Sequence, residues 1–345
     1  MNTIRVALGH DIGAGDAVPG IDRLDAAERG RLSFRALAKT SPMPASELAK
    51  ADILIATPGV AAITAQSLPK DGPLVAILRT GVGYNDVDAD AVTAADTALV
   101  IPPDTVRRPT AVAALTLILA TTTWLVRKHE INLQGPRRWA ELPRYKGTSL
   151  TGKTVGIVGL GNVGADLARL LKPLEPRLIA HDPFVDPGFA SELGVELVEL
   201  DDLMRRSDVV SLNLMLNDKT RRIIDARRLA LMKPTAFLIN AARGPVVDQR
   251  ALTEALAARR IAGAGLDVLD DEPARADDPI LKLDNVTFSA HALNWTDEYV
   301  ANLERDMVAM LRALLAGQVP FKVANAAVLG RPGFKRKLAA LGGRT

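Results

Sequence analysis

The 345-residue sequence contains no cysteine, which excludes a disulfide framework, a thiolate zinc site and a cysteine nucleophile. Aromatic residues make up only 4% of the chain and are not interleaved with basic stretches, so the stacking platforms of a single-strand nucleic-acid binder are missing. Charge of one sign is lacking too: 43 basic against 40 acidic residues leave a net of +3. Five of the basic residues, with no acid, fall in 331–345, and without that tail the count is 38 against 40. We therefore expect no nucleic-acid partner and read the tail as a solvated C-terminus. The N-terminal residues lack the apolar core and cleavage site of a signal peptide; Arg5-Val6-Ala7-Leu8 reads as a first strand, and a cytoplasmic location is expected. One uncharged stretch, 110–126, approaches the length of a membrane span. Its repeated threonines and its isolation favour a buried helix or a dimer interface, so no membrane partner is expected.

What is present is an ordinary globular composition, 48% hydrophobic and 24% charged, at a length that suits two domains. Short apolar runs at 4–8, 52–56, 74–78 and 98–101 alternate with helical stretches, the pattern of an α/β domain with a parallel sheet. An uncharged helix follows over 109–126, and then an irregular segment to residue 151. A second α/β unit has six expected strands, at 154–158, 178–181, 208–214, 236–240, 263–269 and 286–289. A helix from about 297 to 317 comes next.

Gly159-Leu160-Gly161-Asn162-Val163-Gly164 follows the strand at 154–158 and opens a helical stretch. In that context the three glycines have distinct roles: Gly159 permits the tight turn, Gly161 lets backbone approach a pyrophosphate, and Gly164 lets helix and strand pack closely. The pyrophosphate would sit on the helix N-terminus at Asn162 and Val163. Asp182 ends the next strand, 18 residues beyond Gly164, close to the spacing of about 20 at which an acid accepts the ribose 2′-hydroxyl and repels a 2′-phosphate. The expected cofactor is NAD(H).

Ligands of open α/β sheets bind beyond the carboxyl ends of the strands, and Arg243, Glu272 and His291 each follow such an end. Hydride transfer to a 2-oxo acid needs a proton donor, a cation for the carboxylate and a group that supports the donor. His291 suits the first role, Arg243 with its planar fork the second, and Glu272 the third, by stabilising the imidazolium and fixing its tautomer. Of the other histidines, His10 lies in the first domain, His129 at the end of the uncharged helix and His181 beside Asp182; none has metal-ligand spacing, so no metal is expected. In the first domain, Arg79-Thr80-Gly81-Val82-Gly83 follows a strand, and the Val82 and Gly83 amides can form a nest for the substrate carboxylate across a cleft from Arg243.

From about Leu74 to Asn302 the sequence resembles the D-isomer-specific 2-hydroxyacid dehydrogenase family. The resemblance is carried by the segment 150–161, by the Asn-x-x-Arg-Gly core within 237–248, by Gly265-Leu266-Asp267-Val268 ahead of Asp271-Glu272-Pro273, and by His291. It implies Arg243, Glu272 and His291 as the reacting groups, Asp267 and the Ala241 backbone at the nicotinamide, and Thr220 on the adenosine side. The implied architecture is two Rossmann-like parallel-sheet domains. A cofactor domain (104–294) is inserted into a flavodoxin-like substrate domain built from both chain ends (1–103 and 295–345). Members dimerise through cofactor-domain helices, so a homodimer acting on a small 2-oxo or (R)-2-hydroxy acid is expected. An NAD(H)-sensing protein of the corepressor type, or a formate- or phosphite-type dehydrogenase, is the alternative within the same resemblance. The sequence departs from the family pattern at Asn213-Leu214-Met215 where His-x-Pro is usual, at Ala290 where a proline usually precedes the histidine, at Val112-Ala113-Ala114 where Val-Ala-Glu is usual, and at Pro109 where a threonine is usual. Trp295, just past His291, is expected to shape an individual pocket.

Overall fold

A computed structural model describes residues 3–12, 15–59, 61–102 and 104–344. The chain divides into two compact units, one formed by Met1–Val106 with Thr296–Thr345 and the other by Arg107–Trp295. The domain boundary expected at residue 103 falls on Pro103, outside the described residues.

The first unit holds a parallel sheet of β1 (Ile4–Leu8), β2 (Leu32–Ala36), β3 (Ile53–Ala56), β4 (Ala76–Arg79) and β5 (Ala98–Val100), in the order β2-β1-β3-β4-β5. This is the flavodoxin-like order. Val6 pairs with Phe34 on one side and Ile53 on the other. Parallel strands buried on both faces read as nearly continuous apolar runs, because alternate side chains serve different cores. Val6, Leu8, Ile53 and Ile55 belong to one core, and Ala7, Leu54, Ile77 and Leu99 to the other. The first core is closed by the C-terminal part of the chain, through Met307, Leu311 and Leu314 of the helix Asp297–Leu315 and Phe334, Leu338 and Leu341 of the helix Pro332–Gly342.

The second unit holds seven parallel strands: β6 (Thr154–Val158), β7 (Arg177–His181), β8 (Val195–Leu197), β9 (Val209–Leu212), β10 (Phe237–Asn240), β11 (Gly263–Leu266) and β12 (Val286–Phe288). Their order is β12-β11-β10-β9-β6-β7-β8. Counted from β6 this is the doubly wound order 3-2-1-4-5-6 with one added strand, and the winding reverses between β6 and β9. Val155 and Ile157 face a core shared with the helices Arg107–Thr122 and Asn162–Leu171; Val158, Val210 and Leu238 face the other.

Four expectations are corrected. The strands β2 and β8 were not foreseen. Both are edge strands with polar or charged residues inside them (Ser33 and Arg35, Glu196), because an edge strand buries less of each face. The single helix expected over 109–126 is instead two, Arg107–Thr122 and Leu125–Leu133, bent by 57°. Trp124 between them takes φ 58°, and its indole meets Phe237 and Tyr145 edge-on at 5.6 and 5.7 Å, so aromatic packing sets the break. Among the described residues no single helix is long and apolar enough to cross a membrane.

The last correction concerns the tail, which is a helix rather than a solvated terminus. Phe334, Leu338 and Leu341 recur at i, i+4 and i+7 and are buried. Three of its five cations have partners: Arg331 meets Asp96, Arg344 donates to Asp52 at 2.7 Å, and Lys337 Nζ donates to the Ala95 carbonyl at 2.7 Å. Removing the Phe334 ring leaves a cavity in a closed core. Phe334→Ala is expected to lower the stability of the protein by about 3 kcal/mol, read as a shift of the denaturant midpoint. A shift no larger than that of an exposed substitution would refute the packed tail.

Candidate active site

The carboxyl edge of the second sheet carries, in turn, the glycine turn after β6, Asp182 after β7, Asn213 after β9, Arg243 after β10, Asp267 and Glu272 after β11, and His291 after β12. The glycines occupy positions that demand their lack of a side chain. Gly159 has φ +92°, and a Cβ there would stand 2.7 Å from the Asn213 carbonyl oxygen; a Cβ on Gly164 would stand 2.1 Å from the carbonyl oxygen of Gly159. A Cβ on Gly161 would meet nothing, so the backbone there is open to a ligand. Gly161 caps the helix Asn162–Leu171, whose first amides, at Asn162 and Val163, form the positive end.

Asp182 is half-buried and accepts from the Leu160 amide and the Phe184 amide, both at 2.9 Å. Each carboxylate oxygen keeps a further lone pair for a ribose hydroxyl. The bare Gly161 backbone, the helix terminus and this fixed carboxylate suit the pyrophosphate and ribose of a dinucleotide. Thr220 lies past β9, and its hydroxyl donates to the Met215 carbonyl at 2.6 Å and accepts from the Asn217 amide at 2.8 Å, so it closes that turn.

Arg243, Glu272 and His291 come from the ends of three neighbouring strands, and local contacts hold each. Asn240, buried at the end of β10, donates to the Arg243 carbonyl at 3.0 Å and accepts from the Ala242 amide at 3.0 Å, fixing the turn through Ala241 that presents Arg243. Arg243 Nη1 donates to the Ala242 carbonyl at 2.6 Å. A Cβ on Gly244 would stand 1.9 Å from the Leu269 carbonyl oxygen, so this glycine lets the Arg243 turn lie directly against the loop of Glu272.

Ala290 and His291 both take left-handed φ, 51° and 53°, turning the chain sharply after β12. The turn is held by Asp267: its carbonyl accepts from the His291 amide at 2.6 Å, and its Oδ1 accepts from Ser289 Oγ at 2.8 Å and the Leu293 amide at 3.4 Å.

His291 Nδ1 lies 2.8 Å from Glu272 Oε2. Burial raises the Glu272 carboxyl, but the hydrogen bond and charge of His291, the Leu269 amide at 3.2 Å and the charge of Arg243 outweigh it. The group is held below the usual carboxylate range. An ionised carboxylate can only accept, so Nδ1 is the donor and the tautomer is set.

Val82 and Gly83 belong to the first unit, the other expected site residues to the second. They follow β4, half-buried, in a loop fixed at several points. Buried Arg79 donates to both oxygens of Asp86 at 2.7 and 2.8 Å, Asp86 accepts from the Gly59 amide at 3.0 Å, and the Tyr299 hydroxyl donates to the Thr80 carbonyl at 3.0 Å. Sequence reasoning assigned no role to Asn240, Gly244, Ser289 or Tyr299. Asn240 and Gly244 stand within the motif quoted for Arg243, whereas Ser289 and Tyr299 carry no local signal because their partners are distant in sequence.

A doubly wound sheet with this glycine turn and an imidazole–carboxylate pair on the same edge defines a dinucleotide-dependent dehydrogenase. Residues 115–292 match the family described as D-isomer specific 2-hydroxyacid dehydrogenase, NAD binding domain. The glyoxylate reductase of Korarchaeum cryptofilum is 36% identical over 262 residues, covering 75% of this chain and 79% of that protein. The D-3-phosphoglycerate dehydrogenase of Methanocaldococcus jannaschii is 33% identical over 276 residues, covering 80% of this chain and 52% of that protein, so the chain spans about half the length of that relative. Holo D-mandelate dehydrogenase of Rhodotorula graminis superposes with a TM-score of 0.81 at 25% identity, covering 94% of this chain and 98% of that one. The chain belongs to the D-isomer-specific 2-hydroxyacid dehydrogenase family, whose members are NAD-dependent oxidoreductases of 2-hydroxy and 2-oxo acids, and its cofactor is NAD(H).

Two substitutions probe the edge. Asp182→Ala is expected to shift the NAD(H) to NADP(H) ratio of kcat/KM toward NADP(H) by about tenfold or more, because the repelling carboxylate is gone; an unmoved ratio would refute its role. Gly244→Ala pushes a methyl into the Leu269 peptide and displaces the Glu272 loop. Turnover should fall about 100-fold, the scale of a misplaced reacting group, with NADH binding retained in a fluorescence titration.

Proposed function

We propose that the protein interconverts a small 2-oxo acid and its (R)-2-hydroxy acid with NAD(H), using His291 as the acid–base group. The observation that carries this reading is the 2.8 Å hydrogen bond from His291 Nδ1 to Glu272, on a loop fixed by Asp267. With Nδ1 engaged, Nε2 is the nitrogen that serves the substrate. In reduction the imidazolium gives its Nε2 proton to the carbonyl oxygen; in oxidation the neutral ring takes the hydroxyl proton. Glu272 orients the ring and balances its positive charge in the protonated state. Arg243 holds the α-oxo carboxylate and polarises the adjacent carbonyl with its fork of donors. The Val82 and Gly83 amides are read as the carboxylate nest.

NAD(H), when bound, donates or accepts the hydride. Asp182 takes the ribose hydroxyls, the Gly159–Gly164 turn with Asn162 and Val163 takes the pyrophosphate, Ala241 and Asp267 face the nicotinamide, and Thr220 lies on the adenosine side. The (R) configuration follows the family. The protein is further proposed to be a homodimer through the cofactor unit, where Leu119, Leu125, Leu133 and Trp139 are exposed along the bent helix pair and the segment after it.

Incubation with NADH and a panel of 2-oxo acids tests the reading. Wild type should oxidise NADH with at least one member, and His291→Ala should lower kcat by about 100- to 10,000-fold while NADH binding persists. Equal turnover in the variant would remove His291 from the chemistry.

A further inference from the structure

We propose that Met215 is the residue at which peroxide oxidises this protein, and that the sulfoxide formed there weakens NAD(H) binding. The inference rests on the glycine turn as the cofactor site and uses neither the substrate nor the acid–base group of the function proposed above.

The first support is which sulfur atoms peroxide can reach. With no cysteine, the reactive sulfur of the chain is that of its seven methionines. Met1 lies outside the described residues. Met43, Met204, Met232, Met307 and Met310 are buried, none more than 5% exposed, whereas Met215 is 60% exposed. Susceptibility to oxidation follows exposure, so among the described residues one thioether stands open. Its sulfur attacks one oxygen of hydrogen peroxide, the O–O bond breaks as the S–O bond forms, and the hydroxide released takes the proton of the new S–OH group and leaves as water. Sulfur gives up two electrons and peroxide is reduced by them. A polar sulfoxide then stands in place of an apolar thioether.

The second support is where Met215 stands. The Asn213 amide donates to the Val158 carbonyl at 2.8 Å, at the end of β6. A Cβ on Gly159 would lie 2.7 Å from the Asn213 carbonyl oxygen and 3.2 Å from Leu214 Cα. Consecutive Cα atoms are about 3.8 Å apart, so Met215 starts within about 7 Å of that point, beside the turn assigned to the pyrophosphate. Thr220 pins the backbone on the other side, its hydroxyl donating to the Met215 carbonyl at 2.6 Å and accepting from the Asn217 amide at 2.8 Å. The strand order puts β6 between β9 and β7, so Met215 and the 90% exposed Phe184 follow strands about 10 Å apart, on either side of the glycine turn. A flat base with an apolar side chain in contact on each face fills about 7–8 Å. Met215 and Phe184 therefore suit the two faces of the adenine whose ribose Asp182 receives. A thioether favours an aromatic ring, and a sulfoxide sets a polar oxygen against it.

The test treats the full chain with graded hydrogen peroxide, removes the oxidant, locates the added oxygen by peptide mass spectrometry and measures the NADH dissociation constant by fluorescence titration. Met215 should be the first of the described methionines to gain oxygen, and saturating NAD+ during treatment should slow its oxidation. The dissociation constant should rise about five- to tenfold as Met215 is oxidised, and return after treatment with methionine sulfoxide reductases of both stereospecificities. Met215→Leu carries no sulfur at this position, so its dissociation constant should be the same before and after the same dose. Four results overturn the inference: oxygen gained first at a buried methionine, oxidation of Met215 unslowed by NAD+, a dissociation constant unmoved by full oxidation of Met215, or an equal rise in Met215→Leu. Each leaves the proposed function in place, because turnover of 2-oxo acids with NADH and its loss in His291→Ala do not depend on Met215. Untreated protein that binds no NADH refutes the cofactor site and the inference together.

Discussion

Asp267 ties the loop of His291 to the sheet. Its amide continues the ladder by donating to the Asn240 carbonyl, its own carbonyl receives the His291 amide, and its carboxylate receives Ser289 and Leu293. A buried carboxylate is costly unless its lone pairs are filled, and here filling them fixes the loop that turns through two successive left-handed residues. The imidazole on that loop meets Glu272 through Nδ1 at 2.8 Å. Strain at Ala290 and His291 is offset by backbone and carboxylate hydrogen bonds from the adjacent strand.

The same economy holds across the carboxyl edge. Gly244 removes the one side chain that would separate the Arg243 turn from the Glu272 loop, and Asn240 closes that turn on itself. At the winding reversal, Gly159 and Gly164 bring the turn, the helix and the end of β9 into backbone contact. Small residues and short polar side chains do this work because Arg243, Glu272 and His291 come from separate strands and must be held by backbone, which has few ways to move once its amides are paired.

Most of the fold was legible in the sequence. The inner strands read as apolar runs since a parallel sheet covered on both faces needs them, and each begins or ends within a few residues of its expected place. The edge strands β2 and β8 did not read as strands, since one side of an edge has no neighbour and polar residues are tolerated there. The break at Trp124 depends on Phe237 and Tyr145, distant in sequence, and the tail's helix was hidden by five cations, of which Arg331 and Arg344 pair with acids far away in the chain.

For the site, the sequence by itself showed a glycine turn in a strand–turn–helix setting, an acid at the ribose spacing, and an arginine, a glutamate and a histidine past strand ends. Those signals are local, because each depends on residue type and short spacing. Only the tertiary structure decided that Nδ1 of His291 meets Glu272, that Asp267 holds the loop between them, and that the loop of Met215 lies against Gly159. These are relations between segments tens of residues apart, set when adjacent strands pair and their ends are brought to one edge.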